Sequence, residues 1–250
     1  MVARLATEDG SHTDELTALL PPGSTPGEGE PDAEFVLTRD GAISIDGTVV
    51  LQPNGDRPST LRRLGSTMRH HLALKAPNHV FIHAGVVSVD GNAIVMPGAS
   101  RSGKSTLVAA LVRAGATYHS DEYAVVDPDG AIETYAKPLS LRFGRPDDPG
   151  MPVRVPDHQI AAEPIRCGLI VLTGYESDAR WRPAPVSKGE GAMALLQNAV
   201  AAQERPGDAL TAVSHLSRDA EVLSSARGEA GIVSRDLLER ATMAAPSPTP

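Results

Sequence analysis

An α/β fold, with a mixed sheet flanked by helices and built around a glycine loop, is what this sequence predicts. Three observations carry that expectation. Gly98-Ala99-Ser100-Arg101-Ser102-Gly103-Lys104-Ser105 fits the pattern G-x-x-x-x-G-K-[ST]. The apolar run Ala93-Ile94-Val95-Met96 ends just ahead of it, and Thr106 to Ala114 follows with apolar residues at helical spacing, then Gly115 as a stop. A second extended stretch, Val80 to Val89, enters the first through an Asp90-Gly91 turn. Strands joined by a hairpin are antiparallel, whereas parallel neighbours need a crossover helix, so much antiparallel pairing is expected.

The remaining elements follow in chain order. Residues 1–33 are rich in Gly, Pro, Glu, Asp, Ser and Thr, with Leu16 to Leu20 as an isolated apolar cluster too short for a stable helix. They are expected to be flexible. A single domain is expected over 34–243, in three parts: 34–79, 80–145 around the loop, and 146–243. In the first part, Phe35–Thr38, Ala42–Ile45 and Thr48–Leu51 are short strands parted by Asp-Gly turns at 40–41 and 46–47. Leu61 to Leu74 has the periodicity of a helix. Beyond the loop helix, Thr117 to Val126 is extended and enters the turn Asp127-Pro128-Asp129-Gly130. Ala131 to Arg142 is extended, with Pro138 marking an edge or a bend. Pro146 to Pro156 is a proline-dense loop. Cys167 to Leu172 is a central strand, Lys188 to Ala202 a helix, and Ile232 to Met243 a closing helix, while Val213 to Leu223 is undecided. Residues 244–250 form a loose tail.

Composition narrows the function. A chain of 250 residues, 41% hydrophobic, can bury one good core. Its net charge of −8 argues against a general grip on nucleic acid or an anionic membrane. Cys167, the one cysteine, lies in an apolar run and reads as a buried thiol. With no membrane-span-length apolar stretch and no signal-peptide pattern, a soluble cytoplasmic protein is expected.

The loop has a definite chemistry. Gly98 and Gly103 are expected to adopt conformations closed to residues with a Cβ, so that main-chain N–H groups face an anion. Ala99, Ser100, Arg101, Ser102 and Thr106 complete the nucleotide-binding stretch. Lys104 supplies a compact charge for the β- and γ-phosphates of ATP, and the Ser105 hydroxyl is a hard ligand for Mg²⁺. A chain of this length matches the pattern by chance on the order of one time in a hundred. Asp121-Glu122, past the loop helix, can hold Mg²⁺ or accept a proton; the alternative is a polar strand end. His83, in the strand before the hairpin, is either an active-site residue or a hydrogen-bonded structural histidine. Arg101 and Arg142 are candidate helpers for charge neutralisation.

His83-Ala84-Gly85-Val86-Val87, the loop from Pro97 to Ser105, and Ala114-Gly115-Ala116-Thr117-Tyr118-His119-Ser120-Asp121-Glu122 together resemble the catalytic core of the HPr kinase/phosphorylase family. The resemblance covers about residues 80–142. It implies a P-loop fold like that of phosphoenolpyruvate carboxykinase, with Asp121 as the base that activates a serine hydroxyl, His83 as a supporting residue, Lys104 in catalysis, and Ser105, Asp121 and Glu122 at the metal. It also implies a homo-oligomer. Two departures stand out. Glu122 replaces the family's second aspartate, and Lys137-Pro138-Leu139-Ser140-Leu141-Arg142 replaces its Glu-Ile-Arg-Gly metal segment; Glu133 is a candidate substitute carboxylate. The family's arginine-rich loop for HPr recognition and phosphate removal has no counterpart, which turns the likeness toward shorter HPr-kinase-like proteins found with bacterial peptide-modification and other biosynthetic systems, some of which phosphorylate a serine of a precursor peptide.

Two functions of different class follow. One is a kinase that moves the γ-phosphate of ATP to a hydroxyl of a peptide, protein or small molecule. The other is a nucleotide-binding regulatory or assembly module with little or no transfer. A motor-like ATPase fits less well, because the late apolar strand Cys167–Leu172 leads into Thr173-Gly174 rather than an aspartate.

Overall fold

The computed structural model describes residues 1–10, 13–53, 55–99, 102–142 and 150–243, so the expected tail and residues 146–149 of the proline-dense segment lie outside the described residues. Two compact units divide the chain, Met1–Pro77 and Asn78–Pro250. The architecture is mixed α/β.

In the first unit, β1 (Ala3–Thr7), β2 (Ala33–Leu37), β3 (Ile43–Ile45) and β4 (Thr48–Leu51) make a four-stranded sheet in that order. The meander β2-β3-β4 is antiparallel, as the Asp-Gly turns predict, and Asp46 and Gly47 both take positive φ at the second turn. Helices α1 (Thr13–Thr17) and α2 (Arg57–Lys75) complete the unit, with Asp56 capping α2 through the Ser59 N–H. Phe35, Leu37, Ile43, Leu64 and Met68 form its core, joined by Leu16. Within the stretch whose composition suggests flexibility, Ala3–Thr7 is a strand and Thr13–Thr17 a helix. Strand β1 pairs in parallel with β2 from Ala3↔Ala33 to Thr7↔Leu37. A short strand can hold its place when a partner answers its backbone groups, and that partner lies about 30 residues away, beyond any local pattern.

The second unit is organised on an eight-stranded sheet. Its elements are β5 (Val80–Val89), β6 (Asn92–Pro97), α3 (Lys104–Arg113), β7 (Thr117–Ser120), β8 (Tyr123–Val126), β9 (Ile132–Glu133), β10 (Leu139–Leu141), β11 (Met151–Val153), β12 (Cys167–Leu172), β13 (Ala184–Pro185), α4 (Lys188–Gln197), α5 (Pro206–Arg218), β14 (Glu221–Ser224) and α6 (Ala230–Met243). The sheet order is β13-β14-β12-β6-β5-β8-β9, with β7 also on β5, while β10 and β11 form a separate pair. The hairpin β5-β6 and the pairs of β5 with β7 and β8 are antiparallel, and β6-β12-β14 is parallel. The expected mixture is present.

Alternation along the strands splits the core between two faces. Ala93 and Val95 of β6, Ile170 of β12 and Val222 of β14 pack with α4 and α5. Their neighbours Ile94, Met96, Leu169, Val171 and Leu223 pack with α3 and α6. Helix α4 stops at Gln197, short of the expected Ala202. The reason is sheet pairing: Asn198 O accepts from His83 N at 2.8 Å and Val200 N donates to Phe81 O at 2.9 Å, which draws this segment out of the helix and onto β5. The sequence-level strand 117–126 is broken at Asp121-Glu122, where the chain passes from β7 to β8. Cys167 is buried, with its thiol pushed up to about 12 by desolvation, which fits the structural reading. No described helix is long and apolar enough to cross a membrane.

Candidate functional site

The loop joins β6 to α3 at the carboxyl end of the parallel strands, where crevices form in open α/β sheets. Gly103 is the N-cap of α3 at φ 88° and ψ 10°, a left-handed conformation that disfavours a Cβ. Gly98 is different from expectation. Its φ is not in the left-handed region, and its constraint is space, since a Cβ there would come within 3.0 Å of Ser102 Oγ. No side chain caps α3, so its leading N–H groups are available to an anion. Ala99 and Thr106 are exposed, and Ser102 and Ser105 half-buried. Ser100 and Arg101 lie outside the described residues.

Lys104 is turned back on its own loop. Its Nζ donates to the carbonyls of Gly98 and Ala99, both at 2.6 Å, and stands 3.4 Å from Ser102 Oγ. Burial lowers its basicity, and the charge of Asp121 acts in the opposite direction. The lysine and the aspartate thus share one electrostatic neighbourhood.

Asp121 occupies the corner between β7 and β8. Its Oδ1 accepts from Tyr118 Oη at 3.3 Å and pairs with Lys137 Nζ at 3.0 Å, and Oδ2 accepts from Ser140 N at 3.4 Å. The same ammonium is 3.8 Å from Glu122. The segment Lys137–Arg142 therefore folds over Asp121 and brings a cation to it. Arg142, at its end, is exposed, and Glu133 sits in β9 against β8. Among the described residues, no group of three or more His, Cys, Asp or Glu is placed to hold a metal ion.

His83 links the two halves of the site through its backbone. Its carbonyl accepts from Gly98 N at 3.1 Å, and the next residue's N–H, on Ala84, donates to Glu122 O at 3.2 Å. In the sheet His83 lies opposite Tyr123, and the two rings meet at 4.7 Å. Two residues on, along the same strand face, Gly85 receives α3: a Cβ there would be 2.7 Å from Val108 Cγ2. His119, by contrast, is buried, bonded to Ser88 Oγ at 2.9 Å and Thr134 Oγ1 at 3.2 Å, and desolvation pushes it down to about 4.

Sequence reasoning missed Arg227 and Thr173. Arg227 follows β14 and donates from Nη2 to Gly103 O at 2.8 Å. Thr173, just past β12, lines a narrow crevice beside the loop with Arg227, Ser102 and Lys104. Thr173 had a signal, since it ends the apolar strand that runs parallel to β6. Arg227 had none; only the pairing of β14 with β12 brings it to the loop. The arrangement can bind a polyanion at the loop and present a carboxylate pair to one side of it. No protein-family model matches the chain, and no curated protein matches it.

Proposed function

We propose that the chain is an ATP-dependent, HPr-kinase-like phosphotransferase that moves the γ-phosphoryl group of ATP to a hydroxyl of a peptide, protein or small molecule. The observation that supports it best is the convergence of two chain segments on β5. Gly98 of the loop bonds to His83, and Glu122 bonds to Ala84, so the phosphate-binding loop and the Asp121-Glu122 corner sit on adjacent residues of one strand.

In this reading the amides at the start of α3 and Lys104 bind the phosphate chain, with Lys104 exchanging the Gly98 and Ala99 carbonyls for phosphate oxygens. Ser105, Asp121 and Glu122 are the hard-oxygen residues that would hold Mg²⁺. They suit a cation, because the Lys137 ammonium already stands between the two carboxylates. When bound, the metal supplies charge neutralisation on the phosphate oxygens. The acceptor oxygen bonds to the γ-phosphorus as the bond from that phosphorus to the β–γ bridging oxygen breaks, and ADP leaves. The hydroxyl proton goes to Asp121, on Oδ2, whose contact with Ser140 N is long at 3.4 Å, while Oδ1 is held more closely by Lys137 and also by Tyr118. His83 positions the loop and the carboxylate corner.

A second reading, a nucleotide-binding module with little or no transfer, draws support from the Lys137–Asp121 pair, which covers the proposed base. Incubation with γ-labelled ATP, Mg²⁺ and serine peptides or small alcohols separates the two. Label transfer that is lost in Asp121→Asn, with ATP affinity retained, is the expected outcome. Binding without transfer to any acceptor or to water favours the module, and no binding at all overturns both.

A further inference from the structure

Arg227 forms no ion pair with any described residue. It is 2% exposed, with Nη2 on Gly103 O at 2.8 Å and Nη1 on Gly228 O at 3.0 Å. Its Nε has no hydrogen-bond partner among the described residues. Glu229 is the acid whose charge it feels, yet that exposed carboxylate is engaged with Tyr175 Oη at 3.4 Å and forms no ion pair with the guanidinium. Thr173 shows the same pattern on a smaller scale: its Oγ1 is buried and has no partner among the described residues. A desolvated cation is costly unless an anion answers it, and carbonyl dipoles answer it only in part. Both side chains line one narrow crevice with Ser102 and Lys104.

The sheet order tells which part of a ligand reaches them. β12 and β14, which lead to Thr173 and Arg227, lie on one side of β6, while β5, β7 and β8, which lead to Asp121, lie on the other. A phosphate chain held by the loop with its outer end toward Asp121 therefore has its inner end toward Arg227.

We propose that Arg227 and Thr173 form an inner-phosphate subsite, in which the guanidinium and the threonine hydroxyl bind the α- and β-phosphate oxygens of a nucleoside di- or triphosphate. The subsite rests on the nucleotide-binding reading and deepens it. Arg227 has a second task, since its bond to Gly103 O holds the left-handed residue that starts α3. An anion on the guanidinium and the conformation of the loop are then coupled through one side chain. Tyr175, whose ring lies 5.7 Å from the guanidinium carbon, covers the arginine.

Titration calorimetry of the full chain with ADP and with adenosine, in excess Mg²⁺, tests this. Arg227→Met is expected to weaken ADP binding by about 30-fold or more, and Thr173→Val by roughly fivefold. Adenosine binding, which uses no phosphate, is expected to be unchanged in both. Arg227→Lys keeps the charge without the fork and is expected to recover part of the ADP affinity. ADP bound by Arg227→Met as tightly as by the wild type overturns the subsite and leaves the nucleotide reading standing. If Arg227→Met does not fold, unchanged ADP affinity in Arg227→Lys and Thr173→Val overturns it equally. A wild type that binds no ADP, with Lys104→Ala behaving the same way, overturns the nucleotide reading itself.

Discussion

Lys137 places its ammonium 3.0 Å from Asp121 Oδ1, and the aspartate side chain it meets is 1% exposed. The pair joins the segment after β9 to the corner after β7, and Tyr118 braces both partners, with its hydroxyl 2.9 Å from Lys137 O and 3.3 Å from Asp121 Oδ1. A buried carboxylate that loses its cation is left as an uncompensated charge.

Lys137→Met is therefore expected to destabilise the protein by about 2 kcal/mol, below the range for fully buried pairs because the lysine is partly solvated. Asp121→Asn is expected to cost less, since the amide keeps the contact to Tyr118 and the remaining ammonium can reach water. The double variant should be more stable than the sum of the two losses predicts. Chemical denaturation of the three variants and the wild type gives the coupling, and strict additivity contradicts the pairing.

Gly85 sets how closely α3 approaches the sheet. A Cβ there would lie 2.7 Å from Val108 Cγ2 and 3.9 Å from Lys104 Cβ, so Gly85→Ala must push the loop helix outward. A loss of about 1–3 kcal/mol is expected, together with weaker ATP binding because Lys104 moves with the helix. Val108→Ala, introduced alongside, should restore much of both by clearing the contact. Calorimetric melting and ATP titration check this; no rescue by Val108→Ala means that the close approach is not the cause.

His119 makes stability depend on acid. Its folded value, about 4, lies below the ordinary histidine value of 6.5, so below pH 6.5 the unfolded chain binds a proton that the folded chain refuses. Stability from this residue is fully present above pH 6.5, falls as pH drops, and levels off below about pH 4, a total on the order of 3 kcal/mol. His119→Gln keeps a polar side chain between Ser88 and Thr134 and removes the titration. The difference in unfolding free energy between wild type and variant is expected to shrink between pH 7 and pH 4 as the wild type loses its advantage. A difference that does not change with pH means that the histidine is not held neutral.

Local pattern was enough for much of this chain. The hairpin β5-β6 and α3 stand where the apolar runs and the Asp90-Gly91 turn place them, because each is made by contacts between residues close in sequence. Gly103 could be recognised for the same reason, as a residue at a helix start whose φ only glycine adopts easily. Strand β1 and the early end of α4 could not, since their backbone partners, Ala33–Leu37 for one and Phe81–His83 for the other, lie far off along the chain.

The residue types at the candidate site were readable before any fold was known: a lysine and serine after a glycine, two acids after a helix, a histidine in an apolar strand. Tertiary structure alone decided their company. It put Lys137 on Asp121, turned Lys104 onto the Gly98 and Ala99 carbonyls, and carried Arg227 through the β12-β14 pairing to Gly103. Charge and hydrogen-bond capacity belong to a side chain wherever it stands, while its neighbours and its distance from water arise only when remote segments pack together.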